Sequence, residues 1–303
     1  MSRQYRFTKM HGCGNDFILF DCFDQSLFDP ETMALILSDR HVGIGADGMV
    51  MLLPSDKADF RLRFFDTDGT ETPLCGNGLR CAVKLAVDHA LTDKTELTVE
   101  TAAGVFDAAC LPETRSRNGK TADVRVDLGM PGLSPDDVGI SLPGCPDPVM
   151  GAEAAFGGET RIINAARVGS RFCVLFGEEN CLTDPQGETF DIDRFDLDAL
   201  AAACARDPLF ADGADLCVVK VLNQTTLAVR TCEARNGETR ACGTGACAAV
   251  VAACLRGRCA RGTDVTVRLR GGEMTVRYGT EAEGGRIRLT GPAATVFDGN
   301  LLF

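Results

Sequence analysis

Short segments in which apolar and polar residues alternate recur along the chain and predict β-strands. The clearest examples are LTVET at 97–101, VRVDL at 124–128, VTVRL at 265–269 and IRL at 287–289. Successive side chains of a strand point to opposite faces, so a period of two with β-branched residues is typical of a half-buried strand. The chain is therefore expected to be rich in short strands.

Two other segments are apolar on nearly every face and predict buried helices. They run from Leu79 to Leu91 and from Ala246 to Leu255, and both are rich in Ala, Val and Leu. A helix that is apolar all round belongs in a core, and Gly257 suits the C-terminal cap of the second one. The segment 196–205 (DLDALAAACA) instead predicts an amphipathic surface helix that begins at Asp193 or Asp196.

The two buried helices belong to an internal duplication. The segment DGTETPLCGNGLRC (68–81) has a counterpart in NGETRACGTGACAA (236–249), and the strands that follow each segment also match. The sequence thus predicts an α+β fold with two pseudo-symmetric domains, each a curved, mainly antiparallel sheet wrapped around a central buried helix. The stretch 130–148 holds five prolines and predicts a linker and loop. The predicted domains are 1–131, completed by 290–303, and 132–289.

Composition narrows the class of protein. The chain has 303 residues and a net charge of −12. An acidic chain repels phosphate backbones, so nucleic acid is not an expected partner. Neither a membrane-spanning apolar run nor a signal peptide is recognisable, so a cytoplasmic protein that does not bind a membrane is expected. A homodimer is compatible with the sequence, which does not determine oligomeric state.

Fifteen cysteines do not indicate a disulfide framework or a zinc site. The number is odd and no export signal precedes them, so reduced thiols are expected. No C-x-x-C pair occurs, and there are only three histidines, so no metal is expected. The Gly43–Gly48 segment (GIGADG) matches a dinucleotide fingerprint only by spacing. No strand pattern leads into it and a strand pattern follows it, so a plain turn is favoured over a cofactor site.

Cys75 and Cys242 occupy equivalent places in the duplication, each followed by Gly-x-Gly and a helix. A helix N-terminus carries partial positive charge and unpaired N–H groups, which lower the pKa of a thiol and can hold a carboxylate. Two such thiols on opposite faces of one α-carbon, across an inter-domain cleft, could remove and return its proton. A single cysteine of this kind would be read as a helix cap; the duplicated pair favours catalysis.

At these residues the sequence resembles the diaminopimelate epimerase family. The resemblance covers KMHGCGNDF (9–17), DRHVGIGADG (39–48), both cysteine segments and TGPAATVFDG (290–299). Proline racemases are similar in design but more distant. The resemblance implies an isomerase that needs no pyridoxal phosphate or other cofactor, with Cys75 and Cys242 as its two bases.

The resemblance also implies substrate-binding residues. Gly76, Asn77, Gly243 and Thr244 would hold the reacting carboxylate, and Asn15 and Glu233 the reacting amino group. His11 and His41 lie in matching segments and are interpreted as structural.

The positions that would bind the far end of the substrate depart from the family. Asp66, Ser170 and Asp215 stand where the family has asparagines, and Ala234 where it has an arginine. The family set carries a charge of +1, whereas these four residues carry −2. The departure favours a cationic amino acid such as histidine, lysine, ornithine or diaminobutyrate as substrate.

Two alternatives remain open at this point. One is diaminopimelate epimerase proper, an enzyme of lysine biosynthesis, with Arg171 or Arg235 binding the distal carboxylate. The other is a thiol-redox protein that cycles a Cys75–Cys242 disulfide, although such proteins usually keep the two thiols close in sequence.

Overall fold

The computed structural model describes residues 3–156, 158–183, 190–210, 213–234 and 236–303, which form mostly strands with few helices. The strands are β1 Gln4–Gly12, β2 Asn15–Asp21, β3 Gly48–Leu53, β4 Phe60–Asp66, β5 Glu71–Thr72, β6 Glu96–Thr101, β7 Gly104–Leu111, β8 Thr121–Gly129, β9 Met150–Phe156, β10 Glu159–Val168, β11 Ser170–Phe176, β12 Asp215–Asn223, β13 Thr226–Glu233, β14 Gly237–Thr239, β15 Asp264–Leu269, β16 Gly272–Tyr278 and β17 Ile287–Leu302. The helices are α1 Pro30–Ser38, α2 Gly76–Asp88, α3 Pro135–Val138, α4 Leu197–Cys204 and α5 Gly243–Leu255, and a 3-10 turn spans Pro112–Thr114.

The chain divides into two compact units. The first comprises Met1–Asp127 and Thr290–Phe303, and the second Leu128–Leu289. The C-terminal segment belongs to the first unit because β17 pairs antiparallel with β1 from Gln4↔Leu302 to His11↔Ala294. The division expected from the sequence was 1–131 with 290–303, and 132–289.

In the first unit, α2 lies against β1 to β4 and β7. Residues 76–86 of this helix are all buried, including Arg80 and Lys84. Most neighbouring strands of the unit are antiparallel, but β2 with β3 and β4 with β6 are parallel. The sheet is thus mixed at these two places, because the chain leaves it between those strands and re-enters in the same direction.

In the second unit, α5 lies against β10 to β13, β15 and β16. Its residues Ala246 to Cys254 are all buried. Alanine dominates this helix because small side chains let the surrounding strands approach its backbone. Two parallel pairs, β11 with β12 and β13 with β15, again interrupt a mainly antiparallel pattern.

The structure confirms several local predictions and corrects others. The strand expected after Gly48 is β3, and the surface helix is α4, capped by Asp196, whose carboxylate accepts from the Ala199 N–H. Gly257 follows the second buried helix with a φ of +68°. Both buried helices begin three residues earlier than expected, directly after the cysteines, because the thiols themselves cap them.

Most of the stretch 130–148 is loop, as expected, but all of it belongs to the second unit. This stretch contains α3. Its N-cap residue, Ser134, forms a capping box with Asp137. Val138 and Ile140 are buried in the core of the second unit. Prolines favour turns, but the apolar residues between them pack against the sheet and order the segment.

Candidate active site

Cys75 caps the buried helix of the first unit with its sulfur. The residue is extended, with a φ of −131°, and the N–H of Gly78 donates to Sγ at 3.4 Å. Gly76 and Asn77 are the first two residues of the helix and are buried. Their backbone N–H groups belong to the first turn, where no intrahelical acceptor exists, so they are suited to bind an anion.

Asn15 and Asn77 are brought into direct contact. Asn15 begins β2, and its Oδ1 accepts a hydrogen bond of 2.8 Å from Asn77 Nδ2. The two residues are far apart in the sequence, and the family resemblance implies that Asn15 binds the reacting amino group and Asn77 the reacting carboxylate. The structure therefore joins, within one unit, two residues expected to bind the amino group and the carboxylate.

Cys242 repeats the geometry of Cys75 in the second unit. Its φ is −104°, and the N–H of Gly245 reaches Sγ at 3.3 Å. The Thr244 hydroxyl lies 3.5 Å from the same sulfur. Gly243 is the first residue of α5 and is buried, as its counterpart Gly76 is. The duplicated motif thus produces the same sulfur-capped helix start twice.

The environment of Cys242 raises the pKa of its thiol. Burial is the largest cause, followed by the negative charge of Glu233 and the electrostatic effect of the nearby Cys217, and the hydrogen bonds from Thr244 and Gly245 only partly oppose them. The sequence predicted a lowered pKa from the helix terminus. That prediction was wrong for Cys242 in this conformation, because desolvation of a thiolate outweighs the helix terminus.

The predicted residues of the second unit cluster at one end of three adjacent strands. Ser170 begins β11, Asp215 begins β12, and Glu233 ends β13. Phe172 pairs with Asp215 in parallel register, and Leu216 pairs with Cys232, so these ends lie side by side. The Asp215 carboxylate also accepts the N–H of Ala234 at 2.9 Å.

The carboxylates of Asp215 and Glu233 lie at this strand end, whereas the nearby Glu238 is paired with Arg230 and Arg270. Burial first, and then the charges of Asp198, Glu238, Asp215 and Glu233, raise the pKa of Cys232 to about 11. Asn236 donates to Glu233 at 3.0 Å and does not neutralise it.

The remaining predicted residues have definite places. Asp66 ends β4 at a turn in which its backbone pairs with Gly69 and Thr70. Arg171 packs against Gly139 and donates to the Asp137 carbonyl at 3.4 Å. Arg235, the other candidate for a distal carboxylate, lies outside the described residues.

The structure places both histidines, and their structural interpretation stays a prediction. His11 accepts the N–H of Gly14 through Nδ1 at 3.3 Å. His41 is exposed, and its backbone N–H bonds to the carboxylate of Asp39.

Sequence reasoning missed the residues that pack beneath the two motifs. A side chain at Gly245 would meet Thr231 Oγ1 at 2.8 Å and Cys217 Sγ at 3.1 Å. In the first unit the corresponding omission is Arg80, which is fully buried and donates to Asn77. Charged residues on a helix expected to be buried, Arg80 and Lys84, were a visible signal. Nothing local in the sequence marks Cys217 or Thr231.

All fifteen cysteines lie in the described ranges, and each is present as a reduced residue outside any disulfide. Within the described ranges, no group of three His, Cys, Asp or Glu side chains is arranged to hold a metal ion. No helix in that part of the chain is long and apolar enough to cross a membrane. How Cys75 is placed relative to Cys242, which lies in the other unit, stays a prediction.

The sequence model of one family, described as diaminopimelate epimerase, matches residues 7–132 and 172–296. A curated relative of that name from Agathobacter rectalis is 38% identical over 98% of this chain and 99% of its own length. The diaminopimelate epimerase of Bacillus subtilis is 36% identical over 97% of this chain and 98% of its own.

Solved structures show the same fold at lower identity. A hydroxyproline epimerase from Agrobacterium vitis, solved with trans-4-hydroxy-L-proline, covers 99% of this chain and 93% of its own with a TM-score of 0.67 and 16% identity. A phenazine biosynthesis protein of the PhzF family from Bacillus anthracis reaches 0.69 at 16% identity, over 99% of this chain and all of its own. Taken with the paired sulfur-capped helices, the matches across both halves show that this chain belongs to the diaminopimelate epimerase family and is an isomerase of the epimerase and racemase class.

Proposed function

We propose that the protein inverts the α-carbon of an amino acid by a two-base mechanism in which Cys75 and Cys242 are the acid and the base. One thiolate takes the α-proton, and the other thiol delivers a proton to the opposite face. Each sulfur becomes a thiol or a thiolate in turn, so the reverse reaction exchanges their roles. The observation that carries the proposal is the sulfur-capped helix start that occurs at both cysteines.

The helix starts also suit the charge that the reaction generates. As the α-proton leaves, negative charge spreads into the substrate carboxylate. First-turn N–H groups at Gly76, Asn77, Gly243 and Thr244 would stabilise that charge without reorganising. No step of this scheme requires a cofactor. For the reacting ammonium we assign Asn15 Oδ1 and the Glu233 carboxylate as acceptors.

The raised pKa of Cys242 has a place in this mechanism. A buried thiol beside Glu233 is neutral near pH 7 and can therefore act as the proton donor. A bound ammonium group beside Glu233 would offset part of the charge that raises this pKa. Binding of substrate would thereby make the thiolate of Cys242 more accessible for the reverse direction.

Replacing each cysteine tests this assignment. Cys75→Ala and Cys242→Ala should each abolish inversion, measured by chiral chromatography together with solvent deuterium uptake at the α-carbon. Cys247→Ala is the matched control, because it removes another buried thiol from α5. Wild-type rates in either single variant would refute the two-base mechanism. Reversible formation of a Cys75–Cys242 disulfide, without deuterium uptake at any α-carbon, would instead support the redox alternative.

We further propose that the distal group of the substrate is cationic, as in histidine, lysine, ornithine or diaminobutyrate. Asp66, Ser170, Asp215 and Ala234 replace residues that in the family would favour a distal carboxylate. Two unit charges about 4 Å apart interact by roughly 4 kcal/mol at an effective dielectric of about 20. Half of that energy changes binding more than tenfold.

Diaminopimelate is the second candidate, because the relatives with 36–38% identity over nearly the whole chain carry that enzyme's name. In its favour, a zwitterionic distal group also contains an ammonium. Against it, Arg171 is engaged with the Asp137 carbonyl and Gly139. That contact gives the guanidinium a structural role near α3.

A substrate panel separates the two candidates. We expect deuterium uptake with one of the four cationic amino acids and a reduced rate in Asp215→Asn and Asp66→Asn. Asparagine at 215 can still accept the Ala234 N–H, so Asp215→Asn removes the charge and keeps that contact. Asp264→Asn, an exposed carboxylate paired with Arg277, is the control for net charge. Efficient turnover of L,L-diaminopimelate with none of the cationic amino acids would refute the cationic proposal.

A further inference from the structure

The first helix start differs from the second by a buried cation. Arg80 lies on α2, one turn beyond Asn77, and its side chain is 0% exposed. Its Nη2 donates to Asn77 Oδ1 at 2.6 Å, and its Nη1 reaches the Gly76 carbonyl at 3.3 Å. Gly12 permits this placement, because a side chain there would lie 3.0 Å from Nη2.

The hydrogen bonds continue from Asn77 to the surface. Asn77 Nδ2 donates to Asn15 Oδ1, and Asn15 Nδ2 donates to Asp47 Oδ2 at 2.9 Å. Arg40 holds the other oxygen of Asp47 at 2.7 Å. The sequence of contacts thus runs from a buried guanidinium through two amides to a carboxylate, and it links three separate segments of the chain.

Arg40 is itself fixed. It also donates to both oxygens of Asp16, which forms an ion pair with the buried Lys9. Burial opposes ionisation of Asp16, but hydrogen bonds from Arg40 and Lys9 lower its pKa to about 2. Asp47, the carboxylate at the surface end of this hydrogen-bonded series, is therefore held by Arg40, which pairs with Asp16. Arg40 and Asp16 both stay ionised near neutral pH.

Arg80 at one end and Asp47 at the other allow the side-chain amides of Asn77 and Asn15 only one orientation. A guanidinium has donors only, so Asn77 must turn its oxygen towards Arg80 and its nitrogen towards Asn15. A carboxylate has acceptors only, so Asn15 must turn its nitrogen towards Asp47 and its oxygen towards Asn77. A flip of Asn77 would place its NH2 group against the guanidinium donors of Arg80. A flip of Asn15 would place its oxygen against the carboxylate oxygen of Asp47.

We propose that Arg80 is a positioning residue that, together with Asp47, sets the polarity of the two amides that bind the substrate headgroup. The proposal rests on the function proposed above. With this polarity Asn15 presents an oxygen, which suits an ammonium group. Asn77 presents N–H donors beside the helix start, which suit a carboxylate.

The second motif explains why the cation occurs only once. Thr244 stands at the position of Asn77, and Cys247 at the position of Arg80. A hydroxyl can rotate to donate or to accept, whereas an amide must be oriented by its partners. The motif with an amide therefore needs the guanidinium, and the motif with a hydroxyl does not.

The kinetic test compares two buried cations of α2. Arg80→Met should raise the KM for the amino-acid substrate about tenfold, the effect of losing one charged hydrogen bond, and Arg80→Lys should restore part of the loss. Lys84→Met is the matched control, because Lys84 is also 0% exposed but bonds Asp88 and Thr295. A merely structural loss lowers the amount of active enzyme and leaves KM unchanged. An unchanged KM in Arg80→Met, or an equal rise in Lys84→Met, overturns the proposal.

A spectroscopic test does not depend on activity. In 15N-labelled wild type we expect one set of side-chain amide signals for Asn15 and Asn77, with slow hydrogen exchange for Asn77. Arg80→Met should double or shift these signals as the flipped orientation becomes populated, and Lys84→Met should not. Unchanged amide signals in Arg80→Met overturn the proposal. Absence of racemisation by wild type would refute only the proposed function, since the amide signals still report the polarity.

Discussion

Gly245 is expected to be intolerant of even one methyl group. The perturbation is Gly245→Ala at the third residue of α5, where the added Cβ would lie 2.8 Å from Thr231 Oγ1 and 3.1 Å from Cys217 Sγ. These atoms are buried and hydrogen-bonded to each other at 3.4 Å. Overpacking of this kind costs about 1–3 kcal/mol, whereas alanine in a helix gains about 1 kcal/mol over glycine. We expect a net loss of up to about 2 kcal/mol in the free energy of unfolding.

Denaturant titration followed by circular dichroism measures this loss. Gly78→Ala is the matched control at the equivalent position of α2. Its Cβ would meet side-chain carbons of Phe64 and Val50 at 3.1–3.2 Å, so a smaller loss is expected. In a Thr231→Ala background, which removes the closest atom, the cost of Gly245→Ala should fall. Additive costs in the double variant, or a Gly245→Ala protein as stable as wild type, would refute the packing argument.

Two further expectations follow from charged groups of the second unit. Glu233→Gln should lower the pKa of Cys242, because Glu233 contributes the largest charge that raises this pKa. Thiolate absorbance in a pH titration, with Cys242→Ala as the blank, should then appear at lower pH than in wild type. An unchanged titration curve would contradict this expectation. Arg230→Met should destabilise the fold by about 3–5 kcal/mol, since Arg230 is buried and pairs with both oxygens of Glu238 at 2.7 and 2.8 Å. The loss should fall at the lower end because Arg270 still contacts Glu238, and a denaturation midpoint equal to wild type would contradict it.

Local patterns in the sequence were sufficient to predict β3, β6, β8, β15, the start of β17, the surface helix α4 and the two buried helices that follow the cysteines. Alternation at a period of two and apolar runs depend only on which side chains must leave water. These patterns can therefore be interpreted without knowing which residues are neighbours in the folded protein. The duplicated segments around Cys75 and Cys242 predicted the reaction class for the same reason. Each motif builds its helix start from consecutive residues.

Tertiary structure decided what surrounds those starts. The pKa of Cys242 rises because burial and Glu233 outweigh the helix terminus, and burial depends on the whole unit rather than on the motif. The segment 130–148 is ordered because Val138 and Ile140 enter a core formed by distant strands. The contacts from Arg80 through Asn77 and Asn15 to Asp47 join three segments far apart in sequence. Such long-range neighbours arise only when strand register and packing bring them together, so composition and spacing could not reveal them.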